Sequence, residues 1–596
     1  MKILGATSPV RLPIGHSDYR RLRLDRLTYV DKTMWMADVI DNAAPVLLVP
    51  RPRRFGKTLN MSTMRYFLGR SAEDRAWMFD DTEVWSADDG RYRQHFQRYP
   101  VIYLTLKDLK KTTWEACAEQ LARLLASAVR ELMRSAPAER KPSSDDLRMA
   151  QMGLDTTPIN AFTDMLLIAS KWIWNATGER AVILIDEYDS PLHAAWQYGY
   201  WDEAVSFFRD FLSAGLKDNE ALFKGVLTGI LRVSKEGLFS GMNHVLTAST
   251  LNDTLASAFG FTESEVVALA RLAGHEDRME ALRTWYNGYR FGELHPQQVY
   301  NPWSILYFLT EPGNGPRPFW KNTSDNILVR QMLVRHAAQA GPWFETLLRG
   351  ESVRLLLDEN VALQDLAERA DEVIGLLLFS GYLTPSAIEP TEEGVWVSVR
   401  IPNLEVRSVF VDTFQAWLRQ GLIVPEAPGK NDPLDAMAAA MLRGDAADFE
   451  EQLESRLIHM LSYHDVSREP VEAVYQAFIV GMLVQMKDTH RVASNREAGF
   501  GRADVLIVPH QPGPGAVLEL KRVSRRETPE EALQRAVKQL TERQYAREVR
   551  ASGATEVHQY AVVFDGKQCW VQTVPELGRE WIHSAHSETP PPCTLA

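Results

Sequence analysis

The chain has 596 residues, of which 45% are hydrophobic and 24% charged, and its formal net charge is −12. This length predicts several domains, three or four by size, with ample apolar material for their cores. The acidic balance argues against a protein covered with nucleic acid over its whole surface, but it is compatible with a local basic groove. The cysteines, Cys117, Cys569 and Cys593, are scattered and form neither a disulfide framework nor a zinc spacing. The first ten residues lack the apolar core of a signal peptide, and no apolar run is long enough to span a bilayer, so we expect a cytoplasmic protein without membrane segments.

The most informative motif follows an apolar, strand-like run at 46–49 and precedes a helix-like segment at 59–68; it reads Arg51-Pro52-Arg53-Arg54-Phe55-Gly56-Lys57-Thr58. A strand, a short loop closing in Gly-Lys-Thr and then a helix is the layout of a phosphate-binding P-loop. Gly56 lets successive backbone N–H groups turn toward phosphate oxygens, at the positive end of the new helix. We expect Lys57 to reach the β- and γ-phosphates of ATP and the Thr58 hydroxyl to bind Mg²⁺, while Arg54 and Phe55 complete the nucleotide-binding loop.

One residue of the loop departs from the usual motif, because Arg51 stands where glycine is normal. The substitution removes a flexible residue and is expected to add a cationic side chain beside the loop. Because of this substitution, a degenerate loop that binds no nucleotide stays an alternative hypothesis.

A second nucleotide-binding feature lies about 130 residues later, where the uninterrupted apolar run 181–185 ends in Asp186 and Glu187. Such a run is typical of a buried parallel strand. In P-loop ATPases the first acid at this strand end holds Mg²⁺, and a following glutamate can polarise the attacking water. An acidic pair after a buried strand also occurs as a helix cap or loop feature, so it is the combination with Lys57 that favours an ATPase.

Apolar strand candidates alternate with helical segments in the first half of the chain, at 46–49, 101–106, 181–185 and 222–228. This alternation predicts an α/β fold with a doubly wound, mostly parallel sheet, as in P-loop NTPases. The last of these strands ends in Thr228, where such enzymes place a polar residue that senses the γ-phosphate. Arg232 could stabilise phosphate charge, although a surface position is the better interpretation of that residue.

The middle of the chain is predicted to be a helical and winged-helix-like region. Residues 324–388 have a helical pattern, and residues 395–403 resemble the hairpin of a winged helix. No strongly basic recognition helix accompanies this hairpin, so a packing module or a lid over ATP is favoured over a DNA-binding one. A segment rich in proline and glycine, 421–434, is the expected linker.

Beyond the linker, the pattern predicts helices, then a turn-rich passage, then two strands, at 436–462, 470–486, 494–502, 503–508 and 516–521. The first strand carries Asp504, and the second carries Glu519 and Lys521. Because side chains alternate along a strand, Glu519 and Lys521 are expected on one face, opposite Leu518 and Leu520. An acid on one strand and an acid-x-lysine on the next form the constellation of the PD-(D/E)XK nuclease core.

The chemistry of a nuclease needs these residue types. Asp504 and Glu519 offer hard oxygen ligands for Mg²⁺, which stabilises charge on a phosphate and lowers the pKa of a bound water. Lys521 can orient or activate that water, and Glu472 on the preceding helix is the best-placed additional ligand. A helix over 529–549 could lie along the backbone of a nucleic acid, DNA being favoured, through Arg535, Lys538, Gln539, Arg543 and Tyr545. A strand ending in Glu-x-Lys also occurs as an ordinary ion pair on a sheet face.

Together the motifs resemble a bacterial and archaeal family that pairs an AAA-ATPase-like domain with a C-terminal PD-(D/E)XK nuclease domain. The resemblance spans nearly the whole chain and is carried by residues 29–33, 51–58, 185–189, 228–230, 259–262, 285–289, 300–303, 494–504 and 519–521. It implies that Lys57 and Thr58 bind nucleotide and that Asp186 and Glu187 serve the metal and the water. It also implies a nuclease centre at Asp504, Glu519 and Lys521, with Glu472 less certain, and it makes Arg51 a feature of the family loop.

The expected organisation is an ATPase-like P-loop domain, a helical and winged-helix-like region, a linker, a restriction-endonuclease-like α/β domain and a tail, at 1–290, 291–420, 421–434, 435–585 and 586–596. The expected function is an ATP-hydrolysing protein that controls a metal-dependent nuclease, with an oligomer allowed. The main alternative is a nucleotide-switched binding or signalling protein whose nuclease fold is inactive. A metal nuclease on an inert P-loop scaffold is the third hypothesis.

Overall fold

The computed structural model describes residues 2–5, 10–137, 143–231, 244–311, 315–320, 350–358, 370–410, 433–463, 489–498, 501–524, 527–566 and 568–575, with single residues 238, 313, 343, 346, 347, 475, 479, 483 and 486. The chain divides into two compact units. Unit 1 comprises Met1–His336 and Gly350–Val409, and unit 2 comprises Ala337–Arg349 and Phe410–Ala596. The finer boundaries expected from the sequence stay predictions.

The strands of the described residues are β1 Ile3–Leu4, β2 Tyr29–Val30, β3 Val46–Pro50, β4 Val101–Thr105, β5 Ala181–Asp186, β6 Leu222–Gly229, β7 Val245–Thr247, β8 Phe261–Thr262, β9 Tyr289–Phe291, β10 Gln297–Tyr300, β11 Val353–Leu357, β12 Thr384–Thr391, β13 Gly394–Arg400, β14 His490–Ala498, β15 Gly501–Pro509, β16 Gly513–Arg522, β17 Ala554–Asp565 and β18 Gln568–Thr573.

The α-helices whose bounds are resolved are α1 Tyr19–Leu24, α2 Met34–Asp41, α3 Lys57–Leu68, α4 Glu83–Ser86, α5 Trp114–Ser135, α6 Asp146–Met152, α7 Met165–Thr177, α8 Ser190–Tyr198, α9 Trp201–Leu216, α10 Glu263–Leu272, α11 Met279–Tyr286, α12 Pro302–Thr310, α13 Ala370–Ser380, α14 Pro433–Leu442, α15 Ala446–Tyr463, α16 Pro529–Arg543 and α17 Ala546–Ala551. Within the described ranges, none of these helices combines the length and the hydrophobicity that crossing a lipid bilayer requires.

The central sheet of unit 1 is five-stranded in the described part of the chain, in the order β4-β5-β6-β3-β7, and every neighbouring pair is parallel. The parallel α/β sheet predicted from the sequence is therefore confirmed. Every residue of β5 is buried, as its uninterrupted apolar run requires. Strand β6 lies between β3 and β5, which brings the carboxyl ends of all three to one edge of the sheet. Ligands of open α/β sheets bind at that edge.

Unit 1 also contains a three-stranded antiparallel sheet, in the order β11-β13-β12. Its hairpin pairs β12 with β13, whereas the winged-helix hairpin was predicted over 395–403, so that prediction is right for β13 and wrong for the partner strand. The helical prediction for 324–388 is wrong at β11 and at the start of β12, and it is right at α13. Strand β11 alternates between buried and exposed residues because only one of its faces is covered, but its run of leucines also fits a helix.

In its described residues, unit 2 has a five-stranded sheet in the order β14-β15-β16-β17-β18, in which β16 and β17 are parallel and the other neighbouring pairs are antiparallel. Helices α16 and α17 connect these two parallel strands, and this mixed α/β arrangement is the nuclease-like fold expected from the sequence. One face of the sheet packs on α14 and α15 through a cluster that includes Leu518 and Leu520. The other face packs on α16 and α17 through a cluster that includes Val517.

Two expectations for unit 2 are corrected. The passage 494–502, predicted to be exposed and turn-rich, belongs largely to strand β14 and the start of β15, which pair with each other. Its polar residues escaped a strand prediction because an edge strand need not be apolar. The helix predicted over 529–549 is two helices, since Gln544 has a left-handed φ of +52° and ends α16.

A buried acid fastens α12 to the rest of unit 1. The Ser304 hydroxyl donates to both oxygens of Glu405 at 2.9 and 2.8 Å, and the Trp320 backbone N–H donates to Oε1 at 2.9 Å. Burial raises the pKa of Glu405 to about 7, against the opposing effect of these donors. The folded state therefore holds this proton more tightly than the unfolded state.

The pH dependence of stability follows from that raised pKa. The contribution of the Glu405 proton is complete below the unfolded pKa of about 4.5 and is lost as pH rises through about 7, a change of up to about 3 kcal/mol. We expect Glu405→Gln, which keeps an acceptor oxygen and cannot ionise, to flatten the fall in melting temperature between pH 5 and 8. Glu392→Gln, at an exposed position of the β12–β13 turn, is the control. Equal pH slopes in wild type and Glu405→Gln would contradict the assignment.

Candidate active sites

A cavity of about 390 Å³ lies in unit 1 where the loop after β3 meets the end of β5. Its walls bring together all five residues predicted for the P-loop and the glutamate predicted after β5, namely Arg54, Phe55, Gly56, Lys57, Thr58 and Glu187. A concave site with several convergent polar groups is the usual form of a small-molecule site.

The loop backbone has the shape that an anion site needs. Gly56 has a φ of +85°, which glycine adopts without strain, and no atom lies within 4 Å of where a Cβ would stand. Helix α3 begins at the next residue, Lys57, and its first four residues line the cavity. The first N–H groups of a helix have no partner within it and can bind an anion. Arg54 also has a positive φ, of +68°, as one of the few non-glycine residues in that conformation.

Lys57 is buried beneath the loop. Its Nζ donates to the backbone carbonyls of Arg51 at 2.8 Å and Pro52 at 2.9 Å. Burial lowers the pKa of Lys57, and the charge of Glu187 opposes this shift most strongly. The ammonium is thus held by neutral carbonyls close to acids, and a phosphate oxygen would be a stronger partner for it.

The predicted metal-binding residues meet below the cavity. The Thr58 hydroxyl donates to Oδ2 of Asp186 at 2.8 Å, and the Thr228 hydroxyl donates to Oδ1 at 2.6 Å. Asp186 is fully buried, and burial raises its pKa while both hydroxyls lower it. A carboxylate and a hydroxyl in contact are a donor set that suits Mg²⁺, so Thr58 and Asp186 fit the predicted metal. Thr228 contacts Asp186, and through Asp186 it is connected to Thr58.

Glu187 lies in the cavity on a strained backbone. Its φ is +54°, a conformation that costs a non-glycine residue on the order of 1 kcal/mol. Its carboxylate accepts a hydrogen bond from the Ser190 hydroxyl at 3.0 Å. Ser190 was not identified from the sequence, although its place at the start of the helix after Glu187 could have indicated it.

Arg51 does not contribute charge to the cavity, contrary to the expectation. Its fully buried guanidinium points elsewhere and donates to the backbone carbonyls of Pro50, Ala248, Thr254 and Leu255. It also lies about 5.4 Å from the centre of the Phe291 ring. Burial lowers the pKa of Arg51 to about 9. The side chain therefore fixes the end of β3 to the segment after β7. A rigid, anchored residue stands where the usual motif has a flexible glycine.

Arg54 has a different position from Arg51, since it is exposed and lines the cavity. Its guanidinium lies 4.0 Å from the centre of the Trp303 ring, on α12. Trp303 lines the same cavity. The aromatic cluster around 300–303 thus supplies a wall of the site, a role that the sequence did not reveal.

The Tyr29-to-Thr33 motif organises the opposite wall. Lys32 donates to Glu265 at 2.7 Å in a largely buried ion pair and to the carbonyl of Ser257 at 2.9 Å. Asp31 accepts from the backbone N–H groups of Thr33 and Glu83, at 2.8 and 2.7 Å. These contacts fasten the N-terminal segment to α10 and α4, so the motif shapes the cavity chiefly through its packing.

Additional basic side chains line the cavity and were not identified from the sequence: Arg53, Lys107 and Lys110. Lys107 and Lys110 follow β4, whose carboxyl end lies at the same sheet edge as β5. Strand neighbourhood could have indicated them only once the sheet order was known. Arg232, the predicted charge-stabilising arginine, lies outside the described residues.

Unit 2 brings its three predicted residues together. Lys521 Nζ donates to Oε1 of Glu519 at 2.8 Å and lies 3.6 Å from Oδ2 of Asp504. Asp504 in turn accepts from the backbone N–H of Leu520 at 2.9 Å. Strands β15 and β16 pair with Val505 opposite Leu518, which places the two acids side by side.

Glu519 is the most unusual group of this site. It is fully buried, and its Oε2 has no hydrogen-bond partner among the residues that the structure describes. Burial and, after it, the charge of Asp504 raise the pKa of Glu519 to about 8. Two adjacent acids, one with a spare oxygen, fit a divalent cation that would relieve their repulsion.

The remaining predictions for unit 2 have mixed outcomes. Among the described residues, no group of three or more His, Cys, Asp or Glu side chains could hold a metal ion, and Glu472 lies outside the described residues. Arg535 donates to both oxygens of Glu527, at 2.6 and 2.8 Å, and braces the loop after β16, while its expected contact with nucleic acid stays a prediction. Tyr545 is buried and accepts from Gln539 at 3.3 Å, so it supports the unit from within.

Comparison with known proteins identifies a family for part of each unit. Residues 13–239 match the family described as "Predicted AAA-ATPase", and residues 471–574 match the PD-(D/E)XK nuclease superfamily. The first match contains every residue placed at the loop, at Asp186 and at Thr228. The second contains Asp504, Glu519 and Lys521.

The chain is also similar to a protein of Azotobacter chroococcum mcd 1 described as "Uncharacterized protein in vnfD 5'region". The two are 27% identical over 405 residues, which cover 67% of this chain and 68% of the relative. The relative's description assigns no activity. The family matches and the two sheets together show that this chain carries an AAA-ATPase-like domain followed by a C-terminal domain of the PD-(D/E)XK nuclease superfamily.

Proposed function

We propose that this protein binds and hydrolyses ATP in unit 1 and that the nucleotide state controls a metal-dependent nuclease in unit 2, with DNA as the favoured substrate. The proposal rests on two sites in one chain, one suited to bind an anion and the other suited to bind a cation. Within the described residues, the buried Lys57 ammonium donates to two backbone carbonyls, and the buried Glu519 carboxylate has one oxygen without a hydrogen-bond partner.

Different residues of unit 1 would bind the phosphates of ATP, hold the metal and activate the attacking water. Lys57 and the N–H groups at the start of α3 would bind the phosphates, while Thr58 and Asp186 would hold Mg²⁺. The metal would supply charge neutralisation on the phosphates. Glu187 would accept the proton of the attacking water, because its carboxylate lies in the cavity and Ser190 orients it. Residues of α12, including Trp303, would close the site as part of the expected lid.

The residues of unit 2 suit phosphodiester hydrolysis. Asp504 and Glu519 would hold the divalent cation, which would lower the pKa of water and withdraw charge from the phosphate. Lys521, already within hydrogen-bonding distance of Glu519, would orient the water and offset charge that develops on the phosphate. Glu519 must give up its proton for this role, and the adjacent Lys521 ammonium favours its ionised form.

The variant Lys57→Ala tests nucleotide binding in unit 1. Lys57→Ala removes the ammonium that would meet the phosphates, and we expect ATP affinity to fall by roughly 100-fold or more. Titration with a fluorescent ATP analogue measures it. Lys111→Ala is the matched control, because Lys111 belongs to the same basic segment as Lys110 but does not line the cavity. Unchanged affinity in Lys57→Ala would support the inert-scaffold hypothesis.

The second prediction concerns cleavage. Asp504→Ala and Glu519→Gln should each lower the rate of metal-dependent cleavage by roughly 100-fold or more and leave ATP binding intact. Glu556→Gln, an exposed acid on neighbouring β17, should cleave like the wild type. Gel assays with plasmid and single-stranded DNA in Mg²⁺ or Mn²⁺ give the rates. Full cleavage by Asp504→Ala would refute the proposed metal site.

The test of control by nucleotide uses the same assay with and without ATP, in wild type and in Lys57→Ala. We expect cleavage to change with ATP in the wild type and to ignore ATP in Lys57→Ala. Cleavage that depends on metal but is indifferent to ATP in both proteins would remove regulation from the proposal. The absence of cleavage on DNA and RNA in every condition would favour a nucleotide-switched binding protein.

A further inference from the structure

Two residues of the Ile185-to-Asp189 motif, Tyr188 and Asp189, have no part in the proposed chemistry, although both are buried. Asp189 precedes α8 at the position where an aspartate normally caps its own helix. Its side chain makes no capping hydrogen bond. Its Oδ2 instead accepts from the backbone N–H groups of Ile230 at 2.7 Å and Leu231 at 3.0 Å. The carboxylate therefore holds the turn that follows β6.

Tyr188 completes this junction between the turns at 187–190 and 228–231. Its backbone N–H donates to the carbonyl of Thr228 at 3.0 Å, and its hydroxyl donates to the carbonyl of Leu231 at 2.7 Å. A Cβ on Gly229 would stand 2.7 Å from the Tyr188 ring and 2.8 Å from Oδ1 of Asp189. The two turns are thus in such close contact that only glycine fits between them.

Both joined turns carry residues of the nucleotide site. The first contains Glu187, whose left-handed backbone needs support from its surroundings, and whose N–H points to the Thr228 hydroxyl at 3.4 Å. The second contains Thr228, which donates to Asp186. Any separation of the turns would move the Glu187 carboxylate relative to Lys57 and Asp186.

We propose that Asp189 is a positioning residue for ATP hydrolysis: it clamps the 228–231 turn onto the 187–190 turn and thereby fixes Glu187 and Thr228 relative to Lys57 and Asp186. This inference rests on the proposed ATPase function. Asp189 also lines the cavity, and its Oδ2 lies 3.7 Å from Nε2 of His193. The inference nevertheless assigns Asp189 the role of a hydrogen-bond acceptor and gives its charge no role in binding nucleotide or metal.

The distinction between acceptor and charge can be tested by substitution. Asp189→Asn keeps an oxygen that can accept from Ile230 and Leu231, whereas Asp189→Ala does not. Gly229→Ala leaves Asp189 in place but forces the turns apart. Asp202→Ala, which removes an exposed aspartate from the start of neighbouring α9, is the matched control.

The measurements are kcat and KM for ATP, the Kd of a fluorescent ATP analogue, and hydrogen–deuterium exchange in nucleotide-free protein. We expect Asp189→Ala and Gly229→Ala to lower kcat by roughly 10- to 100-fold, with KM and Kd within about threefold of the wild type, since misplacement of a general base affects the chemical step. Asp189→Asn should recover most of kcat. Exchange at the Tyr188, Ile230 and Leu231 amides should accelerate in Asp189→Ala and stay slow in Asp202→Ala.

Three results would overturn the inference. They are an unchanged kcat in Asp189→Ala, an Asp189→Asn as slow as Asp189→Ala, which would make the charge the active feature, and unchanged amide exchange in Asp189→Ala. A wild-type protein without ATPase activity would end the proposed function and, with it, the catalytic part of the inference. The exchange data would then separately decide whether the clamp exists.

Discussion

The proposed nucleotide site of unit 1 depends on one buried carboxylate that three segments of the chain share. Asp186 ends β5 and accepts hydrogen bonds from Thr58, at the start of α3, and from Thr228, near the end of β6. A buried charge without such donors would cost several kcal/mol, so the three segments are held in register by the need to satisfy it. Because β6 lies between β3 and β5, parallel pairing supplies the alignment that these hydrogen bonds require.

The phosphate-binding loop, residues 51–58, is anchored at its first residue and has open space around Gly56 near its other end. The Arg51 side chain does not line the cavity; it donates to backbone carbonyls, and this anchors the residue at which the loop begins. Its burial there lowers its pKa. Gly56 keeps the opposite end open, with space around it and a left-handed φ. A loop with fixed ends loses less conformational entropy when it binds an anion. Arginine at the usual glycine position is therefore compatible with a working site.

The sequence predicted the parts of this protein that follow from local pattern. Long apolar runs gave β3, β5 and β6, and the residue types at their ends gave Lys57, Thr58 and Asp186. Strand alternation likewise placed Glu519 and Lys521 together. Features decided by tertiary contacts were missed. Strand β7 is three residues long, β14 is a polar edge strand, and the direction of the Arg51 side chain depends on carbonyls about 200 residues away. Asp189 belonged to a recognised motif, but its partners emerge only when β5 and β6 lie side by side.

The two sites present opposite forms of one electrostatic principle. In unit 1 a cation, Lys57, is buried among neutral carbonyls, and burial lowers its pKa. In unit 2 a carboxyl group, that of Glu519, is buried beside another acid, and burial raises its pKa. Each group is held in an environment that disfavours its charge, so a ligand of opposite sign gains more there than in water. For Lys57 that ligand is an anion such as phosphate, and for Glu519 it is a cation. Both groups are already buried in the folded protein, so a ligand of opposite charge does not have to supply the free energy of burying them. The residue type at each site, lysine or glutamate, indicates the charge of that ligand.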